Sequence, residues 1–218
     1  MEVKERIQEK STELFKRYGI KSITMDEIAG QLGISKKTIY QYFADKDELV
    51  DAVIVRDLET SRCDFLDCKG KAENAIHENF LIMDHVHEHL REMNPMILYD
   101  LQKFHPTAYQ KFVAHKNTFM KQEVADNIRQ GIGEGLYRPD IRVDIISKFR
   151  VDSIYLTFSP DFLNGTDFSL VELQQELAVH FMYGIASLKG HQLISQYRAE
   201  RLDKTFVSPL PQVGKTGS

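Results

Sequence analysis

Ile34-Ser35-Lys36-Lys37-Thr38-Ile39-Tyr40-Gln41-Tyr42-Phe43 follows directly on Gly33 and is closed by Ala44-Asp45-Lys46. At about 100° per residue, Ile39 and Phe43 share one side of a short helix and, with Ile34, form a face to be packed. Lys37 and Gln41 point the opposite way, with Thr38 and Tyr40 on either side and Tyr42 at the flank. The preceding segment supplies a partner. Thr24, followed three positions later by Glu27, has capping-box spacing, and Ile28, Ala29 and Leu32 form the buried stripe of a second short helix that Gly33 stops. Ser35 is placed to cap the helix that follows. Two short capped helices joined by Gly33-Ile34-Ser35 have the sequence form of a helix-turn-helix. A merely solvated polar face is the plainer reading, but helices this short do not hold outside a packed motif.

Working outward, Val3, Ile7, Leu14, Phe15 and Tyr18 sit at helical spacing with the small Ser11 on the same face, and Gly19 ends that helix. Asp45 and Glu48 repeat the capping-box spacing and open a fourth helix through Leu49, Val50, Val53 and Ile54. The exposed face of the helix-turn-helix has the chemistry of a base reader. Lysine reaches guanine or phosphate, glutamine pairs with adenine, and the threonine methyl meets a thymine methyl. Tyrosine hydroxyls suit phosphate oxygens. Through Glu48 nine cationic residues are balanced by nine acidic ones, so attraction to DNA would rest on a small cationic surface at Lys36, Lys37 and Lys46.

The run Leu14-Phe15, Gly19, Thr24, Ile28-Ala29, Gly33-Ile34-Ser35, Ile39-Tyr40, Tyr42-Phe43, Lys46 and Leu49 resembles the amino-terminal domain of TetR-like transcriptional regulators. The resemblance implies an all-helical homodimer, with a three-helix DNA-binding head and a larger helical body that binds a small-molecule effector. It also implies DNA contacts at Thr24, Ser35, Lys37, Thr38, Tyr40, Gln41, Tyr42 and Lys46. Two departures bear on the preferred bases: Lys37 stands where relatives often carry glycine or another small residue, and Gln41 where histidine is frequent.

The composition is that of an ordinary globular protein, with 42% hydrophobic and 28% charged residues and a formal charge of −4 over 218 residues. No apolar run is long enough to span a bilayer, and a cytoplasmic protein with no membrane partner is expected. The expected organisation is all-α. Residues 1–47 form the helix-turn-helix domain, 48–205 a helical-bundle body for dimerisation and effector binding, and 206–218 a flexible tail rich in Pro and Gly. In the body, a polar link from Asp57 to Lys71 is expected to carry two reduced cysteines, Cys63 and Cys68. Helices follow at Ala72–Arg91, Pro95–Phe104, Thr107–Ile132, Val143–Phe158 and Leu170–Leu188. The last carries Leu170, Leu173, Leu177, Phe181, Gly184 and Leu188 on a stripe wide enough to pack across a twofold axis with the helix before it.

Met83, Met96, Phe104, Tyr109, Phe112, Phe119, Phe149 and Tyr155 are the candidates to line an apolar effector cavity, together with Met93, Met120 and Phe158. His85 and His89 lie four apart, a spacing that also holds zinc, but no His-Glu-x-x-His or Glu-x-x-His motif accompanies them, and no metal or other cofactor is expected. No phosphate loop, nucleophile elbow or dinucleotide fingerprint occurs, so no enzymatic activity is expected. The implied function is a homodimeric repressor of a palindromic double-stranded operator, released by a small apolar or aromatic ligand. A DNA-binding regulator without an effector, and more remotely a metal-binding bundle, stay open at this level.

Overall fold

The structure, a computed structural model, describes residues 2–91, 93–163, 165 and 167–206, with side chains described as far as Arg201. Among these residues every extended regular element is helical. The head consists of α1 (Val3–Tyr18), α2 (Met25–Leu32) and α3 (Lys36–Tyr40). Helix α1 buries Ile7, Leu14 and Phe15, and Ser11 shares that face because its hydroxyl donates to the Ile7 carbonyl at 2.7 Å. Tyr18, expected on this stripe, is instead exposed with the Arg17 guanidinium over its ring.

Helix α4 (Lys46–Lys71) overturns one expectation. The supposed link from Asp57 to Lys71 is its second half. The apolar residues there are sparse because the helix serves as one wall of a larger body, with Cys68 buried and Cys63 exposed. Both thiols are free, and burial pushes the Cys68 thiol up. The expected boundary at 47/48 falls within the first turn of α4, and the apolar core of the head continues beyond it. Ile7, Phe15, Ile28, Ile39, Phe43 and Leu49 form one buried cluster with Ile97, Leu101 and Ala108 of the body.

The body contains α5 (Ala75–Leu90), α6 (Ile97–Phe104), α7 (Pro106–His115), α8 (Lys121–Gly133), α9 (Val143–Leu156), α10 (Pro160–Leu163), α11 (Leu170–Ile185) and α12 (Leu188–Phe206). Helices α7 and α8 form the long run expected from Thr107 to Ile132, except that the coil widens to a π-helical turn at Lys116–Met120. Helix α12 was not foreseen as a separate element. An antiparallel bridge between Tyr137 and Ala186 draws the chain out of α11, and Ser187 then caps the new helix by accepting from the Gly190 amide at 3.1 Å. That pairing is long-range and invisible to local periodicity. The expected flexible tail lies, from residue 207 onward, outside the described residues.

Tyr137 fixes the second core. Its ring is 1% exposed, and its hydroxyl lies 3.2 Å from both the Ala75 carbonyl and Asn127 Oδ1 and accepts from Asn79 Nδ2 at 3.1 Å. The ring fits only because residue 131 has no side chain: a Cβ there would lie 2.1 Å from Tyr137 Cδ2. Gly131→Ala is therefore expected to destabilise the protein by about 1–3 kcal/mol through overpacking. Gly133→Ala, in the same helix with nothing within 4 Å of the new Cβ, is expected to be neutral or stabilising by up to about 1 kcal/mol. Denaturant unfolding of both variants checks the pair.

Candidate nucleic-acid interface and ligand cavity

The helix-turn-helix is built by local chemistry. Thr24 Oγ1 accepts from the Glu27 amide at 3.2 Å, and the Glu27 carboxylate returns to the Thr24 amide at 2.6 Å, closing the capping box that opens α2. Gly33 ends α2 in the left-handed region (φ 64°, ψ 30°), and the Ile34 amide reaches back to the Ala29 carbonyl at 3.1 Å. Ser35 then caps α3, accepting from the Thr38 amide at 3.1 Å, with its hydroxyl 2.8 Å from Thr38 Oγ1. One face of α3 is locked inward by Ile39 and Phe43, both almost wholly buried, with Ile34 packed partly against them.

The candidate contacts consequently fall into two groups. Lys37, Tyr40, Gln41 and Tyr42 are exposed, and their polar ends have no hydrogen-bond partner among the described residues. The others have structural work within the head. Thr24 and Ser35 are caps, and Thr38 is held against Ser35. Lys36 pairs with Asp26 at 2.8 Å and lies over the Tyr40 ring, an exposed pair that an anionic ligand can exchange. Lys46 is half-buried and donates to the Ile20 carbonyl at 2.7 Å, and burial holds its ammonium below the usual lysine range. It fastens the start of α4 to the α1–α2 connection.

Within the body, reaching Lys16 of the head, lies a cavity of about 240 Å³, walled mainly by α4, α5, α6, α9 and α11. Of the residues expected to line it, Met83, Met93, Phe112, Met120, Tyr155 and Phe158 do so. Five do not. Met96 and Phe104 lie at the surface, with Lys21 and Lys103 over the Phe104 ring. Tyr109 packs beside the core of the head. Phe119 is turned by the π-helical segment onto Phe65 and Arg62. Phe149 is 60% exposed on the outer face of α9, one residue out of phase with the inward-facing Arg150.

The wall also holds polar groups that periodicity did not single out. His85 Nε2 is 3.0 Å from Asp64 Oδ2 of α4, and His89 Nδ1 is 3.2 Å from the His85 carbonyl. The three side chains bring ligand-type atoms within 4.8 Å of one another. Each already has a protein partner. Arg150 and His115 differ: Arg150 Nη1 and His115 Nε2 are enclosed and hydrogen-bond to nothing among the described residues.

Residues 7–53 match the family described as bacterial regulatory proteins, tetR family. The chain is 24% identical over 153 residues to the HTH-type transcriptional repressor KstR2 of Mycobacterium tuberculosis, covering 66% of this chain and 74% of that protein. It is 43% identical over 60 residues to the HTH-type transcriptional regulator SAB2452 of Staphylococcus aureus, a match that spans only 28% of this chain and 32% of that one. A solved TetR-family transcriptional regulator from Marinobacter aquaeolei superposes with a TM-score of 0.71 at 18% identity, over 92% of this chain and 98% of the other. The fold and head together define a helix-turn-helix DNA-binding regulator. The chain is a TetR-like regulator, with a head of that family on an all-helical body. No helix among the described residues is long and apolar enough to cross a membrane.

Because Gly33 ends α2 at φ 64°, Gly33→Ala is expected to cost about 1–2 kcal/mol, the penalty for an L-residue in the left-handed region. Gly33→Asn is expected to cost less, since asparagine tolerates that conformation. Thermal unfolding of the two variants measures the difference.

Proposed function

We propose that the protein is a homodimeric repressor that reads a palindromic operator through α3 and is released by a small apolar ligand held in the body cavity. One observation carries the DNA half of this reading. Lys37 and Tyr40 on α3, and Gln41 and Tyr42 in the turn that ends it, stand exposed with no hydrogen-bond partner for their polar ends among the described residues, while Ile39 fixes the opposite side in the core. Those are the groups that contact base edges and phosphates in a major groove.

The dimer is supported by the outer face of α9, where Ile145, Phe149 and Leu156 are 53%, 60% and 51% exposed at helical spacing. Leu173 and Leu177 of the neighbouring α11 are only partly covered. Pairing α9 and α11 with their copies about a twofold axis would bury this surface in a four-helix arrangement.

Ligand response is supported by α6, which has two attachments. Ile97, Leu98 and Leu101 line the cavity, while Asp100 accepts from the Lys21 amide at 2.9 Å. Just ahead of α6, the Asn94 amide donates to the Lys16 carbonyl at 2.6 Å. A ligand that binds better when α6 is displaced draws the α1–α2 connection with it and moves the recognition helices out of register. The cavity is open rather than filled by side chains, which favours an effector over a body that only dimerises.

Selection of bound sequences from random DNA is expected to return a palindrome; no enrichment, or a single unrepeated half-site, contradicts the reading. Lys37→Ala is expected to weaken all sites alike and to lower the salt dependence of log K by about one. Gln41→Ala is expected to relax discrimination at one base pair by about 1–3 kcal/mol. Sedimentation is expected to show dimers for the native chain and monomers for Phe149→Glu.

A further inference from the structure

Burial of a cation without a counter-charge is unfavourable, and a folded chain tolerates it where something else completes the site. Arg150 comes close to this case: the residue as a whole is half-buried, but one end of its guanidinium is wholly enclosed. It projects from α9 into the cavity among Ile154, Tyr155 and Phe158, and its Nη1 is fully enclosed with no hydrogen-bond acceptor among the described residues. Among the described residues its guanidinium lies over the Phe181 ring, with the guanidinium carbon 5.2 Å from the ring centre. Neighbouring polar groups are otherwise engaged. Gln174 donates to the Ile154 carbonyl and to Thr157 Oγ1, and Asp64 is held by His85. Asp152, on the same helix, is paired with Lys116 and Lys148. Burial alone pushes the guanidinium down to about 10, with no carboxylate offsetting it, yet it remains charged at neutral pH.

His115 presents a second unmatched group to the same cavity, an enclosed Nε2 on a ring that rests against Phe119. Its imidazole is held below the usual histidine range by burial, and so is neutral at pH 7. The remaining surface of the cavity is mostly apolar, although its lining also includes Asp57, paired with Lys16, and Asp64 from α4, and His85, His87 and His89 from α5. A pocket of this composition fits a molecule with an apolar body and one anionic end.

Resting on the reading of the cavity as an effector site, we propose that Arg150 is the anchor for a carboxylate. The natural ligand is then an amphipathic carboxylic acid whose apolar part lies against Met83, Phe112 and Phe158. The planar guanidinium offers two parallel N–H donors that match the two carboxylate oxygens, a geometry an ammonium does not supply. His115 is available to a further polar atom of the same ligand.

The test uses the full-length protein and matched probes: octanoate and 4-phenylbutyrate, each beside its methyl ester. Affinity is measured by calorimetry, and its consequence by loss of binding to the selected operator. The native chain is expected to prefer each acid over its ester by about 10–100-fold, the range for a hydrogen-bonded charge pair. Arg150→Met is expected to abolish that preference and to raise the melting temperature of the ligand-free protein, since it removes an unpaired buried cation. The rise also shows that the variant folds. Arg150→Lys is expected to keep part of the preference. An acid preference that survives Arg150→Met, or esters that bind the native chain as well as acids, overturns the anchor while leaving the cavity an effector site. Failure of both acids and esters to bind overturns the anchor and the effector reading together. Tight binding of the acids that leaves operator affinity unchanged upholds the anchor and overturns the effector reading alone.

Discussion

The core of the head is completed from outside the head. Ile97, Leu101 and Ala108 join the cluster of Ile7, Phe15, Ile28, Ile39 and Phe43, so the three helices of the head lean on the body for part of their burial. A segment this small buries too little apolar surface to be well stabilised by itself. The same α6 side chains, Ile97 and Leu101, also bound the cavity. Packing that stabilises the head and packing that bounds the cavity therefore share side chains. Close-packed interiors transmit such displacements instead of absorbing them.

That arrangement gives the polar contacts around α6 a clear role. The Asp100 carboxylate holds the Lys21 amide, and the half-buried Lys46 holds the Ile20 carbonyl, on adjoining residues of the α1–α2 connection. His105, at the end of α6, sits 2.5 Å from Asp47 at the start of α4. The head is thus fastened at its connection and at its exit helix, close to residues that also touch the cavity. Its own charge is balanced, nine cations against nine anions through Glu48, so little long-range attraction supports it on DNA. Under the proposed function, small changes in the placement of Lys37 and Gln41 then weigh heavily on affinity.

The head was legible in the sequence because its signals are local. Capping pairs, the left-handed glycine and the phase of Ile39 and Phe43 each act within a few residues, and the structure realises them. Much of the body was legible for the same reason. The errors share a physical cause: they lie where a distant contact decides. The second half of α4 looked like a linker because a helix that walls a cavity needs few apolar residues. Helix α12 went unseen because the bridge between Tyr137 and Ala186 separates it from α11. Phe149 has the residue type of a cavity liner, but it lies about 100° around the helix from the inward-facing Arg150 and is exposed. Arg150 itself was open to detection: a cation in phase with Ile146, Ile154 and Phe158 is a charge on an apolar face, and that anomaly marks a site.

We propose that the cavity and the head are coupled through α6. Amide hydrogen exchange measures this directly, on the full-length protein with and without a saturating carboxylate probe. Coupling through α6 predicts changed protection at α6 and at the amides of Lys21 and Asn94, which bond across the junction, as well as along the cavity walls. Changes confined to α5, α9 and α11, with the Lys21 and Asn94 amides unaltered, would contradict it.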